Sequence, residues 1–133
     1  MTLTRPNPIL GVYEKPFWEW IQKRELRLQR CENGHYRFPP GPCCPNCAST
    51  AFSWEKVSGQ GRLVSWTVFH RQYFSGLPLP YTVVCAALAE GPLLIANLVG
   101  VPEAELKLDM QLRIVFEESR TKEGELVVYQ WSI

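Results

Sequence analysis

CENGHYRFPPGPCCPNC, residues 31–47, separates a basic, Trp-rich leader from a longer segment with the residue pattern of β-strands. The stretch holds four of the five cysteines and one of the two histidines. Cys44 and Cys47 have the C-x2-C spacing with which two thiolates bind one tetrahedral metal ion from a tight turn. Pro45 stiffens such a turn, and Asn46 tolerates its unusual backbone angles. The pair therefore predicts one half of a zinc knuckle.

The other half of the site is less regular. A second C-x2-C pair would place a cysteine at Gly34, but the next possible ligand is His35, one residue later. Imidazole nitrogen is a normal zinc ligand, and Gly34 can bend the chain to bring it into place. The predicted ligands of one closed, structural zinc ion per chain are Cys31, His35, Cys44 and Cys47. The alternative is a ribbon that keeps its fold without metal, through Phe38 and the turn at Pro39 and Pro40.

The remaining cysteine of the stretch, Cys43, is expected to lie outside the site, because adjacent residues point in different directions. A disulfide framework is not expected for the five cysteines. Their number is odd, and no secretory apolar segment precedes them.

Length and composition are those of a small soluble domain. A chain of 133 residues with 46% hydrophobic and 20% charged residues is one domain, or a small module attached to one domain. No apolar run approaches the roughly 20 residues needed to cross a bilayer, so we expect a cytoplasmic protein. The net charge of +1 gives the molecule no strong attraction to nucleic acid.

The leader combines an arm with a short helix. Residues 1–15 show no period and indicate an arm lying on another surface. Pro16 is predicted to begin a helix of about 10 residues, since proline suits the first helical position, and the helix has an aromatic and apolar face that includes Phe17. Trp18 and Trp20 are predicted to contact a partner, because aromatic residues are enriched in interface cores. Burial of this helix against its own domain is the open alternative.

The rest of the chain has the period of β-structure. Residues 26–30 alternate and lead as a strand into residues 31–50, the predicted rubredoxin-like ribbon. Further strands are predicted at 52–57, 62–71, 81–89, 93–99, 111–118 and 126–133. The first of these is a lead-in, and a short helical turn is expected after Pro102. Five strands with a short helix between the third and fourth predict a mainly β protein with an OB-fold Greek-key barrel over residues 51–133, preceded by the ribbon and by the leader, residues 1–30.

No catalytic frame is visible in the sequence. His70 and the candidate nucleophiles Ser65, Ser75 and Cys85 lie in no nucleophile elbow or comparable motif. Cys85 is expected to be an inert core thiol, since free cysteine packs as a small hydrophobe. SGQG at residues 58–61 lacks the lysine and helix of a phosphate loop, and its glycines are expected to turn the chain from ribbon to barrel. The chain is therefore predicted to be inactive on its own.

The loop YFSGLPLPY, residues 73–81, is hard to interpret as core. Two prolines and a glycine prevent regular strand pairing, yet most of its residues are large and apolar. Exposed apolar loops of this kind mark contact sites, so a partner or an acyl chain is expected there. The predicted contact residues are Tyr73, Phe74, Leu77 and Tyr81. The alternative is that the loop packs over the mouth of its own barrel.

The order of these motifs resembles a bacterial and archaeal family that joins a rubredoxin-like zinc ribbon to an OB-fold and was long described as a domain of unknown function. The specific parts are CPNC at 44–47, SGQG at 58–61, PY at 80–81 and NLVG at 97–100. The resemblance implies a non-catalytic, acyl-CoA-associated accessory subunit. Its partners would be thiolase-like or lipid-transfer-protein-like enzymes, including aldolases of sterol side-chain breakdown. A homo-oligomer is also compatible with the resemblance.

Three positions depart from the pattern of this family. The family zinc ligands correspond to Cys31, Cys44 and Cys47, but a further cysteine is expected where Asn33 and Gly34 stand. Ala48 replaces the usual glycine after the last ligand. Leu-Asp-Met at 108–110 replaces a Gly-Met pair.

Two ligands compete for the OB-fold. Single-stranded nucleic acid is the alternative function, but residues 52–100 offer only Lys56, Arg62 and Arg71 as cations, too few to follow several phosphates. One CoA needs fewer cations. We expect its phosphates to meet Arg37, Arg62 and Arg71, with the acyl arm along the loop at 73–81.

Overall fold

The computed structural model describes residues 5–74 and 76–133. Part of the predicted arm and Ser75, one of the candidate nucleophiles, lie outside the described residues. One helix and eight strands are present in the described chain: α1 Glu14–Gln22, β1 Arg27–Cys31, β2 Tyr36–Arg37, β3 Phe52–Lys56, β4 Gln60–Phe69, β5 Tyr81–Leu88, β6 Leu93–Asn97, β7 Gln111–Thr121 and β8 Gly124–Ser132. A single 3₁₀ turn, Glu103–Glu105, lies between β6 and β7.

The ribbon is a three-stranded antiparallel sheet in the order β2-β1-β3. The strand predicted at 52–57 as a lead-in to the barrel pairs instead with β1, from Arg27 opposite Lys56 to Cys31 opposite Phe52. The sequence predicted this strand but not its pairing, because an alternating pattern identifies a strand and does not specify its partner. The ribbon sheet thus reaches beyond residues 31–50 on both sides, and the division of the chain at residues 30 and 50 stays a prediction.

The second sheet is the OB-fold barrel, in the order β6-β5-β4-β7-β8. Its first and last strands approach through a parallel bridge between Leu98 and Trp131, where the Val99 N–H donates to the Trp131 carbonyl at 2.9 Å. Trp131 has no exposed surface, and its indole N–H donates to the Leu94 carbonyl at 3.0 Å. The five barrel strands and the position of the short helical turn confirm the predicted fold class.

Helix α1 joins the ribbon to the barrel. Phe17 and Ile21 are buried, and the Phe17 ring lies 5.3 Å from Phe38 of the ribbon and 5.7 Å from Tyr129 of β8, between ring centroids. The Gln22 side chain pairs with the backbone of Val127, accepting at 2.9 Å and donating at 3.0 Å. One face of the helix is therefore buried against its own domain. No helix among the described residues is long and apolar enough to cross a membrane.

The N-terminal arm lies along the end of β7. The Arg5 N–H donates to the Arg120 carbonyl at 2.8 Å, and the Asn7 amide donates to the Thr121 hydroxyl at 2.9 Å. Beyond this contact Ile9 and Val12 are almost fully exposed. The arm is thus fixed at residues 5–7, and it brings Pro6 and Pro8 to the side of the barrel near α1.

Candidate metal centre and binding surfaces

The first pair of candidate ligands flanks the turn between β1 and β2. Cys31 ends β1, and its N–H donates to the His35 carbonyl at 2.9 Å. Gly34 has φ +87°. Glycine adopts this backbone conformation at little cost in free energy, whereas a residue with a Cβ is strained there. The predicted bend at Gly34 therefore turns His35 back toward Cys31.

The second pair lies on the CPNC turn. The Ala48 N–H donates to the Cys44 carbonyl at 2.9 Å and closes the turn. Ala48 has φ +61°, in the left-handed region that favours glycine, and Asp109 has φ +66°. At both positions the sequence departs from the glycine-containing pattern of the resembled family. Both residues nevertheless have a backbone conformation that glycine adopts more easily than other residues.

The four candidate ligand atoms form one cluster, all within 4.8 Å of one another. Cys31 Sγ lies 3.5 Å from His35 Nδ1 and 3.8 Å from Cys47 Sγ, and Cys44 Sγ lies 3.6 Å from the same nitrogen. Tetrahedral zinc with Zn–S bonds of about 2.3 Å and Zn–N bonds of about 2.0–2.1 Å places two sulfurs about 3.8 Å apart and a sulfur and a nitrogen about 3.6 Å apart. The measured distances match this geometry, so the donor set fits zinc.

Hydrogen bonds around the cluster favour the thiolate form of two cysteines. The Asn33 amide donates to Cys47 Sγ at 3.3 Å and, with further donors, lowers the pKa of Cys47 to about 6. Burial opposes ionisation of Cys31, but the backbone N–H groups of His35 and Asn33 outweigh it and lower the pKa of Cys31. Sequence reasoning did not identify Asn33 as part of the site, although its place in the turn between two ligands was a usable signal.

The other two ligands have the opposite shift. Burial raises the pKa of the Cys44 thiol, and hydrogen bonds to Cys47 and Cys31 raise the pKa of His35. Thiolates are the zinc-binding form of cysteine, so bound metal would supply the positive charge that Cys44 lacks here. Cys43 is exposed and lies outside the cluster.

A second feature is an apolar groove beside α1. It has a volume of about 310 Å³ and is lined by the arm, the helix, the 73–81 loop and strands β6 and β8. Trp18 of the helix and Leu77 of the loop lie in the same groove, together with the exposed Ile95. The structure therefore brings one residue from each predicted partner surface to a single place.

The other predicted partner residues do not line this groove. Tyr73 is 60% exposed and Phe74 47% exposed, whereas Tyr81 packs edge-on against Phe69 with ring centroids 4.9 Å apart. Arg27 lies over the Trp20 ring at 4.1 Å from its centroid, and Lys23 lies over it at 4.8 Å.

The three arginines predicted to bind CoA phosphates are not brought together. Arg37 is buried in the ribbon. Arg62, near the start of β4, pairs with Asp109 at 2.8 Å, and Arg71 lies beyond its end, over the Tyr73 ring at 5.4 Å. Arg62 and Arg71 are nine residues apart in sequence, which is at most about 30 Å of extended chain. Contact of each arginine with a CoA phosphate stays a prediction.

Among the described residues, the candidate catalytic side chains form no hydrogen-bonded pair. His70 is exposed at the end of β4. Cys85 lies opposite Ser65 on the outward, half-buried face of β5, while Val84 and Ala86 face the core. The expectation that Cys85 is a core thiol was wrong, because an unbroken apolar run gives no sign of which face is buried.

Fold and site together define a class: a zinc ribbon joined to a small OB-fold barrel. Residues 18–53 match the family "ChsH2, rubredoxin-like zinc ribbon domain", and residues 54–117 match the family "ChsH2, C-terminal OB-fold domain". The chain is 33% identical over 120 residues to a DUF35 domain-containing scaffold protein of Pyrococcus furiosus, covering 85% of each chain. The chain belongs to this DUF35 family, as its motifs predicted, and the family's ribbon together with the Cys₃His cluster indicates one zinc ion per chain.

Two further relatives are larger proteins or complexes. The solved structure "Ltp2-ChsH2(DUF35) aldolase" superposes with a TM-score of 0.82 at 30% identity, covering 93% of this chain and 98% of that chain. A probable enoyl-CoA hydratase alpha subunit of Thermomonospora curvata is 37% identical over 110 residues, which are 80% of this chain but 34% of the relative. The chain thus spans about a third of that relative's length.

Proposed function

We propose that the chain is a non-catalytic accessory subunit that binds a thiolase-like or aldolase partner and helps to hold a CoA thioester there. The relatives of the chain support the accessory role: one is a scaffold protein, one belongs to an aldolase complex, and one is a probable alpha subunit of a hydratase.

The apolar groove is the observation that carries the proposal. It joins Trp18 to Leu77, and the exposed rings of Tyr73 and Phe74 extend the same apolar loop into solvent. Apolar surface of this kind marks interaction sites, and aromatic residues are typical anchors of protein interfaces. A partner that covers the loop would bury Phe74 and close the groove from outside.

The groove also suits the apolar part of a CoA thioester. Its volume of about 310 Å³ is at the lower end of known ligand pockets, and its walls are mainly aliphatic and aromatic. Asn97 and Asn7 supply amide groups at its edge. Arg71 lies next to the same loop. It is the predicted phosphate contact with the least competition from this chain, because within the described residues Arg62 pairs with Asp109 and Arg37 donates to Gln29 and Gly41.

Catalysis is assigned to the partner. Within the described chain, the side chains of His70, Ser65 and Cys85 make no hydrogen bond to one another, and none of the three residues lines the apolar groove. The zinc ligands are all protein groups, so the ion would have no open position for water. Zinc supplies structural cross-linking of the two turns when bound, and this chain's residues supply the contact surfaces.

The test is co-purification with a co-expressed thiolase-like enzyme from the same organism. The double change Phe74→Ser and Leu77→Ser should abolish co-purification, while the free energy of unfolding changes by only about 0.5 to 1 kcal/mol. Leu108→Ser is the matched control, because Leu108 is 65% exposed and lies outside the groove. Retained co-purification of the double variant, or thiolysis or aldol cleavage by the isolated chain, would contradict the proposal.

A further inference from the structure

A polar cluster is buried in the ribbon sheet, where Gln29 of β1 lies opposite Arg37 of β2. Gln29 has no exposed surface and Arg37 is 5% exposed. Gln29 Oε1 accepts from Arg37 Nε at 3.0 Å and from the Gly41 N–H at 2.8 Å, and Arg37 Nη2 donates to the Gly41 carbonyl at 3.0 Å. These bonds fix the guanidinium group and the amide in place.

The cluster has too few acceptors for its donors. Among the described residues, the buried side-chain atoms without a hydrogen-bond partner are Arg27 Nε, Gln29 Nε2 and Arg37 Nη1. All three are donors on the ribbon sheet. Turning the Gln29 amide over would not help, because its nitrogen would then face two donors. Buried polar groups are normally satisfied, so the deficit indicates a missing acceptor.

The charge of Arg37 is also uncompensated by a carboxylate. The two hydrogen-bond acceptors of its side chain are neutral, and no ion pair involves it in the described part of the chain. Its guanidinium group lies 4.9 Å from the centre of the Phe52 ring, a cation–π contact that offsets part of the cost. A buried, unpaired charge is strongly unfavourable, and a water molecule would satisfy a donor without neutralising it.

Arg37 lines a cleft of about 710 Å³. The cleft lies between the ribbon turns and the turn that joins β5 to β6, and Tyr36, Phe38 and Asn46 also line it. One acidic residue, Glu90, reaches the cleft, but the Ser58 N–H and hydroxyl donate to its carboxylate at 2.9 and 3.4 Å. Room for a ligand is thus present next to the unpaired cation.

We propose that this cleft binds an oxyanion, a phosphate or carboxylate group, which accepts hydrogen bonds from the Arg37 guanidinium group. Gln29 is a positioning residue that holds the guanidinium group from behind. The site is separate from the apolar groove, and it does not depend on the proposed accessory function. The oxyanion is either a free ion or the phosphate of a larger cofactor, since both present the same acceptor geometry.

The experiment measures the thermal unfolding midpoint of the zinc-loaded full chain at increasing concentrations of inorganic phosphate, acetate or CoA, at constant ionic strength. We expect the thermal midpoint to rise to a plateau with at least one of these ligands. If CoA reaches the plateau at a lower concentration than phosphate or acetate, the bound oxyanion belongs to the cofactor; if not, it is the free ion. Arg37→Met should weaken binding at least about tenfold, the loss of one charge-assisted contact. Arg113→Met, which removes an exposed arginine outside the cleft, should leave binding unchanged. No saturable response, or an equal response in Arg37→Met, overturns the proposal.

A second variant tests the same site if Arg37→Met fails to fold. Gln29→Glu keeps the shape of the side chain and places a carboxylate against Arg37. If an anion is what the site lacks, this variant should melt at a higher temperature than the unaltered chain without ligand, and its response to phosphate should be lost. A lower midpoint for Gln29→Glu, or an unchanged phosphate response, would also overturn the proposal.

Discussion

Gly61 is the position at which one added methyl group tests the packing of the barrel. A Cβ at Gly61 would lie 2.8 Å from Trp131 Cη2, 3.2 Å from Trp131 Cζ3 and 3.0 Å from the Ala87 carbonyl oxygen. The first distance is shorter than carbon atoms tolerate, and neither neighbour is free to move. Trp131 is fully buried and hydrogen-bonded to Leu94, and Ala87 belongs to the strand paired with β4.

The expected cost of Gly61→Ala follows from these contacts. Overpacking a core lowers the free energy of unfolding by about 1–3 kcal/mol, and replacing glycine by alanine raises it by about 0.4–1 kcal/mol, because alanine restricts the unfolded chain. The free energy of unfolding should therefore fall by about 1–2 kcal/mol, which lowers the thermal midpoint by about 4 to 8 °C. Circular dichroism during heating measures this midpoint.

The matched control is Gly41→Ala, because a Cβ there meets no atom within 4 Å. Its midpoint should stay the same or rise slightly. If the midpoints of Gly61→Ala and Gly41→Ala agree to within about 1 °C, Trp131 does not pack against β4 as described, and the account of the barrel core is refuted.

Three further predictions concern the zinc site and pH. Ala48→Gly should raise the free energy of unfolding by up to about 1 kcal/mol, because glycine relieves the φ of +61°; a loss of stability in denaturant titration would contradict this. Elemental analysis should find one zinc per chain and near none in Cys44→Ser, with Cys43→Ser as the control that keeps it; less than about 0.2 zinc in the unaltered chain would favour a metal-free ribbon. Burial raises the pKa of Tyr129 from 10.0 to about 12, so between these values only the unfolded chain loses the phenol proton. The free energy of unfolding should therefore fall by up to about 2.7 kcal/mol as pH rises through this range, and Tyr129→Phe should remove that part of the fall.

The zinc ligands and the barrel strands could be predicted because their signals are local. The C-x2-C spacing at Cys44 and Cys47 fixes how two thiols approach one ion, and alternation of apolar residues identifies a strand from its own sequence. His35 could be proposed for the same reason, since Gly34 marks the bend that turns it toward Cys31.

The remaining features depend on contacts between distant parts of the chain. The pairing of β3 with β1 is set by register across the ribbon and not by the pattern of β3 itself. Arg37 was predicted only as a phosphate contact, and the sheet is what shows that its side chain is buried and bonded to Gln29. The separation of Arg62 from Arg71 follows from the length of β4, which places them near opposite ends of one strand.

Calorimetry with two ligands tests the central claim most directly. The chain and its complex with a thiolase-like partner are each titrated with an acyl-CoA and with a single-stranded oligonucleotide at physiological salt. The account predicts heat from the acyl-CoA, with tighter binding in the complex, and no measurable heat from the oligonucleotide. Oligonucleotide binding at micromolar concentration with a steep salt dependence, and no heat from acyl-CoA in either sample, would contradict it.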